Sequence, residues 1–194
     1  MRYGVFIHRS DSIYDDSPAE RYQFPSQYLG RVQNCIGDWI IYYEPRKVAE
    51  TRGYFAIAKI ERVVPDPTTS GMYLALVEPG SYLDFVNPVP FTDASGAVAE
   101  QGVLNEQGRI SGRAQSAVRP ISPGDFNRIV MLGLNESEPL LPRTGEEMSG
   151  FGEQQAPFEL EQSRDRASFT VSRIVRDRIF RRTVLRAYSE GCAI

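Results

Sequence analysis

The sequence is short of the residues that build disulfide frameworks, zinc sites and histidine-based active sites. Its 194 residues include two cysteines (Cys35 and Cys192), one histidine (His8) and one tryptophan. Two distant cysteines with no CxxC pair exclude a disulfide scaffold and a zinc ribbon, and they favour a reducing, cytoplasmic setting. No run of about eighteen apolar residues is present, and the first residues lack a signal peptide's apolar segment. We therefore expect a cytoplasmic protein that does not span a membrane.

Complete catalytic motifs are also missing. The sequence contains no GxSxG, no P-loop, no HExxH and no set of carboxylates at metal-ligand spacing. We therefore expect this chain to have no catalytic activity and to need no cofactor. The run His8-Arg9-Ser10-Asp11 follows the first predicted strand. Neighbouring residues at a strand exit point in different directions, which favours orienting a ligand over catalysis.

Lysine is scarce and the charges are unevenly distributed. Of 22 basic residues, 20 are arginine, whose planar fork suits phosphate recognition, although a GC-rich genome produces the same bias. Residues 1–133 carry a net charge of −2, residues 134–163 a net of −6 and residues 164–194 a net of +5. A basic end on an acidic chain is typical of a surface that faces a phosphate backbone, and equally of a solvated or partner-facing helix.

The spacing of the predicted strands, joined by turns and with few helices, favours a small mixed β-barrel over a βαβ sheet. Aromatic and branched residues predict strands over residues 3–7, 37–43, 53–60 and 72–77. Ser122, Pro123 and Asp125 are typical of a helix start, with Phe126, Ile129, Val130 and Leu132 facing inward and Gly133 ending the helix. Residues 92–115 are expected to form a long, mobile hairpin or loop.

The chain is divided into three parts. Residues 1–133 form the predicted domain, and residues 134–163 read as an acidic, flexible linker without periodicity. In the basic segment 164–194, Phe180, Val184 and Tyr188 fall on one face of a predicted helix. This C-terminal region could also form a homodimer.

Aromatic residues alternate with cations in the first third of the sequence. Eight rings lie within 34 residues (Tyr22, Phe24, Tyr28, Trp39, Tyr42, Tyr43, Tyr54 and Phe55). Rings beside cations provide what an exposed or flipped nucleobase needs. Strand alternation places Trp39, Ile41 and Tyr43 on one face and Ile40 and Tyr42 on the other. Because one face must be core, only some of these rings can line a pocket.

Several motifs resemble those of EVE domains, members of the PUA-like superfamily. They are GDWIIYYEPR at 37–46, GYFAIAKI at 53–60, NPVPF at 87–91 and QSAVRPIS at 115–122. The resemblance covers roughly residues 1–133. It implies an α+β fold, a small PUA-like β-barrel flanked by short helices, whose pocket accepts a modified, flipped base in several relatives.

The end of the chain resembles the lead-in to a bacterial HNH nuclease domain. The motif RIFRRTVLRAY at 178–188 is followed by Cys192-Ala193-Ile194. In that family the residues that bind the divalent metal and cleave DNA lie further downstream, so we expect them beyond Ile194. Together the two resemblances imply the DNA-reading half of a modification-dependent HNH restriction endonuclease.

We therefore expect a module that binds double-stranded DNA and reads a flipped, modified cytosine, such as the 5-methyl or 5-hydroxymethyl form. Strand exits converge at one rim of a barrel, which brings three clusters together. The predicted base pocket comprises Ser10, Asp11, Tyr22, Phe24 and Tyr43, and the predicted DNA-backbone contacts are Arg9, Arg46, Lys47, Arg178, Arg181 and Arg182. The alternatives are that Phe24 and Tyr43 are core and that Asp11 caps a turn. An RNA-binding PUA-like module and a protein-interaction or regulatory domain are the alternative functions.

Overall fold

The computed structural model describes residues 3–9, 11–45 and 51–134. They form an α+β fold built on one mixed sheet. The strands are β1 (Gly4–Ile7), β2 (Arg21–Pro25), β3 (Trp39–Glu44), β4 (Gly53–Pro65), β5 (Met72–Val77), β6 (Leu83–Val89) and β7 (Val118–Pro120). The helices are α1 (Leu29–Gln33) and α2 (Pro123–Leu134). The predicted segments 134–163 and 164–194 lie, apart from Leu134, outside the described residues.

The sheet has seven strands in the order β2-β5-β4-β3-β1-β7, with β6 also paired to β4. Strand β1 runs parallel to β3, and the other pairings are antiparallel. The long strand β4 pairs with β3 and β6 through its first half and with β5 through its second half. A register shift between Ile60 and Arg62 separates the two halves.

The predicted β-barrel does not close, because β2 and β7 end the hydrogen-bonded order without pairing to each other. Strand β7 has three residues, and Pro120 has no N–H to donate. On the strand's outer side, the carbonyl of Val118 accepts hydrogen bonds from Arg31 Nη1 at 2.9 Å and from Ser116 Oγ at 2.9 Å. This edge is therefore capped by side chains, and no further strand joins it.

The predicted alternation along β3 is confirmed, but both faces of the sheet are buried. Trp39, Ile41 and Tyr43 pack with α2 and β6 in one hydrophobic cluster. Ile40 and Tyr42 pack in a second cluster with residues of β2, β5 and α1. At least one face was expected to be core, and both are, because helix α2 covers one side while β2 and β5 fold over the other.

The loop 92–115 is held by a buried ion pair. Glu100 and Arg119 are 1% and 3% exposed, and Arg119 Nη2 donates to Glu100 Oε2 at 2.8 Å. The hydroxyl of Tyr54 donates to the same oxygen at 2.9 Å. Burial and the Glu100 carboxylate both raise the pKa of Tyr54. The loop is therefore tied to the sheet near its middle.

Helix α2 begins as predicted, at Pro123, with Ser122 Oγ accepting from the Asp125 amide at 3.1 Å. Phe126, Ile129 and Val130 are buried as predicted, whereas Leu132 is 52% exposed and Leu134 continues the helix. Leu132 faces solvent because α2 packs through the stripe formed by the other three. Within the part of the chain that is described, no helix combines the length and apolarity needed to cross a bilayer.

Candidate functional site

The ends of β1 and β3 and the start of β4 meet at one edge of the sheet. Because β1 and β3 are parallel, Ile7 lies opposite Tyr43, and the His8 amide donates to the Tyr43 carbonyl at 2.9 Å. Strand β4 is antiparallel to β3 and begins here, with Gly53 opposite Glu44. This juxtaposition gathers the residues that we call the edge site: His8, Asp16, Tyr42, Arg52 and Phe55.

Aromatic rings form the apolar part of the edge site. The rings of Tyr42 and Phe55 are stacked with centroids 5.9 Å apart, and the ring of His8 lies 5.9 Å from Phe55 and 6.4 Å from Tyr42. The guanidinium carbon of Arg52 lies 3.9 Å from the centroid of the Phe55 ring. At that distance a planar cation covers one face of the ring.

Two polar atoms of the edge site are buried without a hydrogen-bond partner among the described residues. They are the hydroxyl of Tyr42, whose residue is fully buried, and Nδ1 of His8. The nearest charged group to His8 Nδ1 is Asp16 Oδ2, at 3.6 Å, which is too long for a hydrogen bond. Burial, and then the Asp16 carboxylate, raise the pKa of Tyr42, so its hydroxyl keeps its proton and can donate it in a hydrogen bond.

Asp16 is fixed in place by Gln23 on β2. The backbone amide of Gln23 donates to Asp16 Oδ1 at 2.7 Å. The side-chain oxygen Oε1 of Gln23 accepts from the backbone amide of Asp15 at 2.9 Å. Gln23 Nε2 in turn donates to the carboxylate of Asp66. The side chain of Asp16 is 4% exposed, and its Oδ2 oxygen faces His8. The carboxylate is therefore held with an acceptor directed into the edge site.

Arg52 is the least constrained member of the edge site. Its backbone amide donates to Glu44 Oε2 at 3.0 Å, but its side-chain Nε lies 3.5 Å from the same oxygen. The side chain is 45% exposed. Together with Thr51, Pro88 and Pro90, Arg52 also lines a cavity of about 300 Å³. The guanidinium therefore has space beside it, and its one ionic contact with a described residue is the weak one to Glu44.

The predicted pocket residues have different surroundings from those expected. Tyr22, Phe24 and Tyr43 are 4%, 1% and 5% exposed and pack in the two hydrophobic clusters. Tyr22 comes nearest to the edge site, with its ring 6.4 Å from Tyr42 and its hydroxyl donating to the Ile7 carbonyl at 2.9 Å. Tyr22 and Phe24 are covered by their neighbours in the second cluster, whereas Tyr43, although largely buried against α2 and β6, lines the cavity of about 300 Å³ beside Arg52.

Two predicted residues are exposed at the rim of the edge site. Arg9 Nη2 donates to Asp11 Oδ2 at 2.7 Å and Arg9 Nε to Asp11 Oδ1 at 2.9 Å. This pairing raises the pKa of Arg9 and lowers that of Asp11, so both stay charged. The other predicted contacts lie outside the described residues: Ser10, Arg46, Lys47, Arg178, Arg181 and Arg182.

The ends of β1 and β3 lie together as predicted, and the two tyrosines at the end of β3 lie on opposite faces of the sheet. Tyr42, not Tyr43, faces His8 and Phe55. Alternation places Tyr42 on the face of Ile40 and Tyr43 on the face of Trp39 and Ile41, but it does not indicate which face His8 joins. Asp16 gave no signal, because its place depends on a contact with Gln23 that no local pattern predicts.

Metal binding finds no support in residues 3–9, 11–45 and 51–134. Within these ranges no three histidine, cysteine, aspartate or glutamate side chains converge closely enough to hold a metal ion. Cys35 is buried, and burial raises the pKa of its thiol to about 12. At neutral pH it is therefore a neutral, apolar thiol.

Comparisons with known proteins give low similarity. No family of known proteins matches this sequence, and no curated protein matches it either. Among solved structures, Rpa0253 from Rhodopseudomonas palustris aligns with a TM-score of 0.47 at 15% identity, over 69% of this chain and 93% of that one. The N-terminal domain of McrB from Staphylothermus marinus aligns with a TM-score of 0.40 at 13% identity, over 66% and 92%. At these scores, neither likeness establishes a shared fold or function.

Proposed function

We propose that this protein is a DNA-binding module that accepts a flipped, modified cytosine in the edge site. One observation carries the proposal: the stacked rings of Tyr42 and Phe55 adjoin two buried polar atoms that lack hydrogen-bond partners among the described residues. Unsatisfied buried polar atoms are costly, and they are usual where a ligand supplies the missing partner. A planar heterocycle with polar edges suits rings and polar atoms in this arrangement.

Arg52 explains how a base gains access to a site whose rings are buried. Its guanidinium is planar and occupies the face of Phe55 that a base would use. Among the described residues, the 3.5 Å contact to Glu44 and the Phe55 ring hold the side chain, and nearly half of it is exposed. A base that stacks on Phe55 displaces this guanidinium toward solvent, where it can contact a DNA phosphate.

The polar atoms of the edge site match the pairing edge of cytosine better than that of thymine. Asp16 Oδ2 is an acceptor, and the exocyclic amino group of cytosine is a donor that carboxylates recognise. The protonated hydroxyl of Tyr42 is a donor for a ring nitrogen or carbonyl of the base. Thymine presents a carbonyl where cytosine has the amino group, which would place two acceptors against each other.

The loop between β1 and β2 provides a means of replacing the extruded base. Ile13 is 95% exposed, although this loop is held by hydrogen bonds such as Ser12 N to the Arg9 carbonyl at 3.1 Å. Extruding a base costs a few kcal/mol, and stacking on an aromatic ring returns about 1–3 kcal/mol. Insertion of Ile13 into the vacated stack would offset part of the remainder. Arg9, Arg46 and Lys47 would contact DNA phosphates.

The last segment of the chain supports a role in restriction. Its resemblance to an HNH lead-in, with Arg178, Arg181 and Arg182 in the motif, suggests a reader joined to a nuclease. In that arrangement the edge site selects modified DNA, and cleavage belongs to the HNH domain.

The test compares binding of one duplex with and without a single central 5-methylcytosine or 5-hydroxymethylcytosine. We expect tighter binding to a modified duplex. Tyr42→Phe removes one hydroxyl and keeps the ring, so it should reduce the preference about fivefold, the equivalent of about 1 kcal/mol. Asp16→Asn should reduce it further, because an amide N–H₂ would face the base's amino group.

Tyr73→Phe is the matched control, since Tyr73 packs on Phe24 away from the edge site. It should leave the preference unchanged. If the Tyr42 and Asp16 variants stay folded and keep the full preference, the edge site does not read the base. Tighter binding to matched RNA than to either duplex would instead favour the RNA-binding alternative.

A further inference from the structure

A larger cavity of about 720 Å³ lies along the outer edge of β7. Its walls come from β7, from α1 and the residues after it, and from the two short 3-10 turns Gln101–Val103 and Gly112–Gln115. None of its lining residues belongs to the edge site. Its volume falls within the range of about 300–1,000 Å³ that is usual for small-molecule sites.

The charges that line this cavity do not cancel. Three arginines and one carboxylate contribute, but Arg119 and Glu100 form the buried ion pair and neutralise each other. Arg31 and Arg113 remain, and neither forms an ion pair with any residue in the described ranges. The cavity therefore carries about two uncompensated positive charges on a chain whose formal net charge is −3.

Arg31 is held in position by neutral groups. Its Nη1 atom donates to Ser116 Oγ at 2.6 Å and to the Val118 carbonyl at 2.9 Å, and its guanidinium lies 5.7 Å from the centre of the Tyr28 ring. These contacts fix the guanidinium and leave its Nη2 edge for an anion. Asn34 adds an amide to the same wall.

The remaining wall is apolar. Val103 and Val118 are each 1% exposed, and Cys35 is 3% exposed. Because the Cys35 thiol stays protonated at neutral pH, it adds no negative charge. These side chains lie behind the wall, and the exposed ring of Pro120 provides apolar surface to the cavity. A fully polar ion such as free phosphate would leave that ring uncovered, whereas a ligand with an apolar or planar body would cover it.

We propose that this cavity binds a small phosphomonoester with an apolar or planar body, the chemistry of a mononucleotide. Arg31 and Arg113 hold the phosphate, since a guanidinium fork matches phosphate oxygens in a bidentate arrangement. Pro120 packs against the body. This site is separate from the edge site and does not depend on the function proposed for it.

The experiment titrates the full chain calorimetrically with adenosine 5′-monophosphate, adenosine and inorganic phosphate. We expect the nucleotide to bind at least tenfold more tightly than either of the other two. Arg31→Gln and Arg113→Gln should each weaken nucleotide binding by roughly tenfold, because each removes a charge-assisted contact. Arg62→Gln is the matched control, since Arg62 is exposed on β4 away from this cavity, and it should change nothing.

Three results would overturn the proposal. They are no nucleotide binding at millimolar concentration, equal effects of Arg31→Gln and Arg62→Gln, or phosphate binding as tight as nucleotide binding. If Arg31→Gln weakens DNA binding while the nucleotide does not bind, the arginines contact a DNA strand and the cavity is not a small-molecule site. Tyr42→Phe should leave nucleotide binding unchanged, which separates this outcome from failure of the edge site.

Discussion

Asp66, which follows β4, contacts Gln23, and Gln23 in turn holds Asp16 of the edge site. Its carboxylate accepts from the Thr68 hydroxyl and amide, each at 2.7 Å, and from Gln23 Nε2. Gln23 fixes Asp15 and Asp16 through the contacts described above. The carboxyl of Asp66 therefore acts as a positioning group for Asp16.

We predict that the contacts of Asp66 stabilise the folded protein at neutral pH and lose this effect in acid. The hydrogen bonds from Thr68 and then from Gln23 lower the pKa of Asp66 from 3.8 to about 2. Because the folded-state pKa lies below the unfolded value, the stabilisation is fully present above that value and is lost as the pH falls toward 2. In thermal unfolding between pH 5 and pH 2, Asp66→Asn should therefore show a weaker fall in Tm than the unsubstituted protein. Identical slopes would mean that Asp66 is not stabilised by these contacts.

At the scale of a single residue, the sequence predicted which side chains of β3 share a face of the sheet. It did not predict which residues pack against each face. Alternation placed Tyr42 and Tyr43 on opposite faces, and that prediction is confirmed. Which tyrosine meets His8 depends on the curvature of the sheet and on what covers each face. Both are set by contacts between residues distant in sequence, so a local pattern could not distinguish them.

At the scale of elements, the start of β4 sets the position of Arg52 and Phe55. Gly53 has φ +67, and a Cβ added there would lie 2.3 Å from the Val89 carbonyl oxygen on β6. Both the left-handed backbone and this close approach require glycine. Gly71 is a matched comparison, with φ +79 but nothing within 4 Å of an added Cβ.

We predict that Gly53→Ala destabilises the protein more than Gly71→Ala does. Gly71→Ala should cost about 1 kcal/mol for the backbone conformation alone. Gly53→Ala should cost more, because β4 and β6 must separate as well, and it should also weaken the preference for modified DNA by moving Arg52 and Phe55. Urea unfolding of the two variants measures the difference. Equal costs would show that β6 yields easily at Val89.

Local elements were predictable where composition and capping agree. Strand β5 matches its prediction, Met72–Val77, and α2 begins at Pro123 after a serine that caps it. The sequence could not show whether the sheet closes into a barrel, because closure depends on whether β7 pairs with another strand. Arg31, Ser116 and Pro120 cap that strand, and this capping appears only once α1 packs beside it.

At the scale of the whole molecule, two sites with different chemistry lie on one domain. The edge site combines aromatic rings with a carboxylate and a hydroxyl, which suits a neutral base. The β7 cavity combines arginines with an apolar wall, which suits a phosphorylated ligand. Since they share no lining residue, a substitution in one should leave binding at the other intact.

The central claim is that the edge site receives the modified base, and NMR tests it most directly. Protein labelled at histidine, tyrosine and phenylalanine rings is titrated with one duplex that carries a single 5-methylcytosine and with its unmodified counterpart. We predict that the ring resonances of His8, Tyr42 and Phe55 shift with the modified duplex, and that the unmodified duplex produces much smaller shifts. Binding of the modified duplex that leaves these three rings unperturbed would contradict the account.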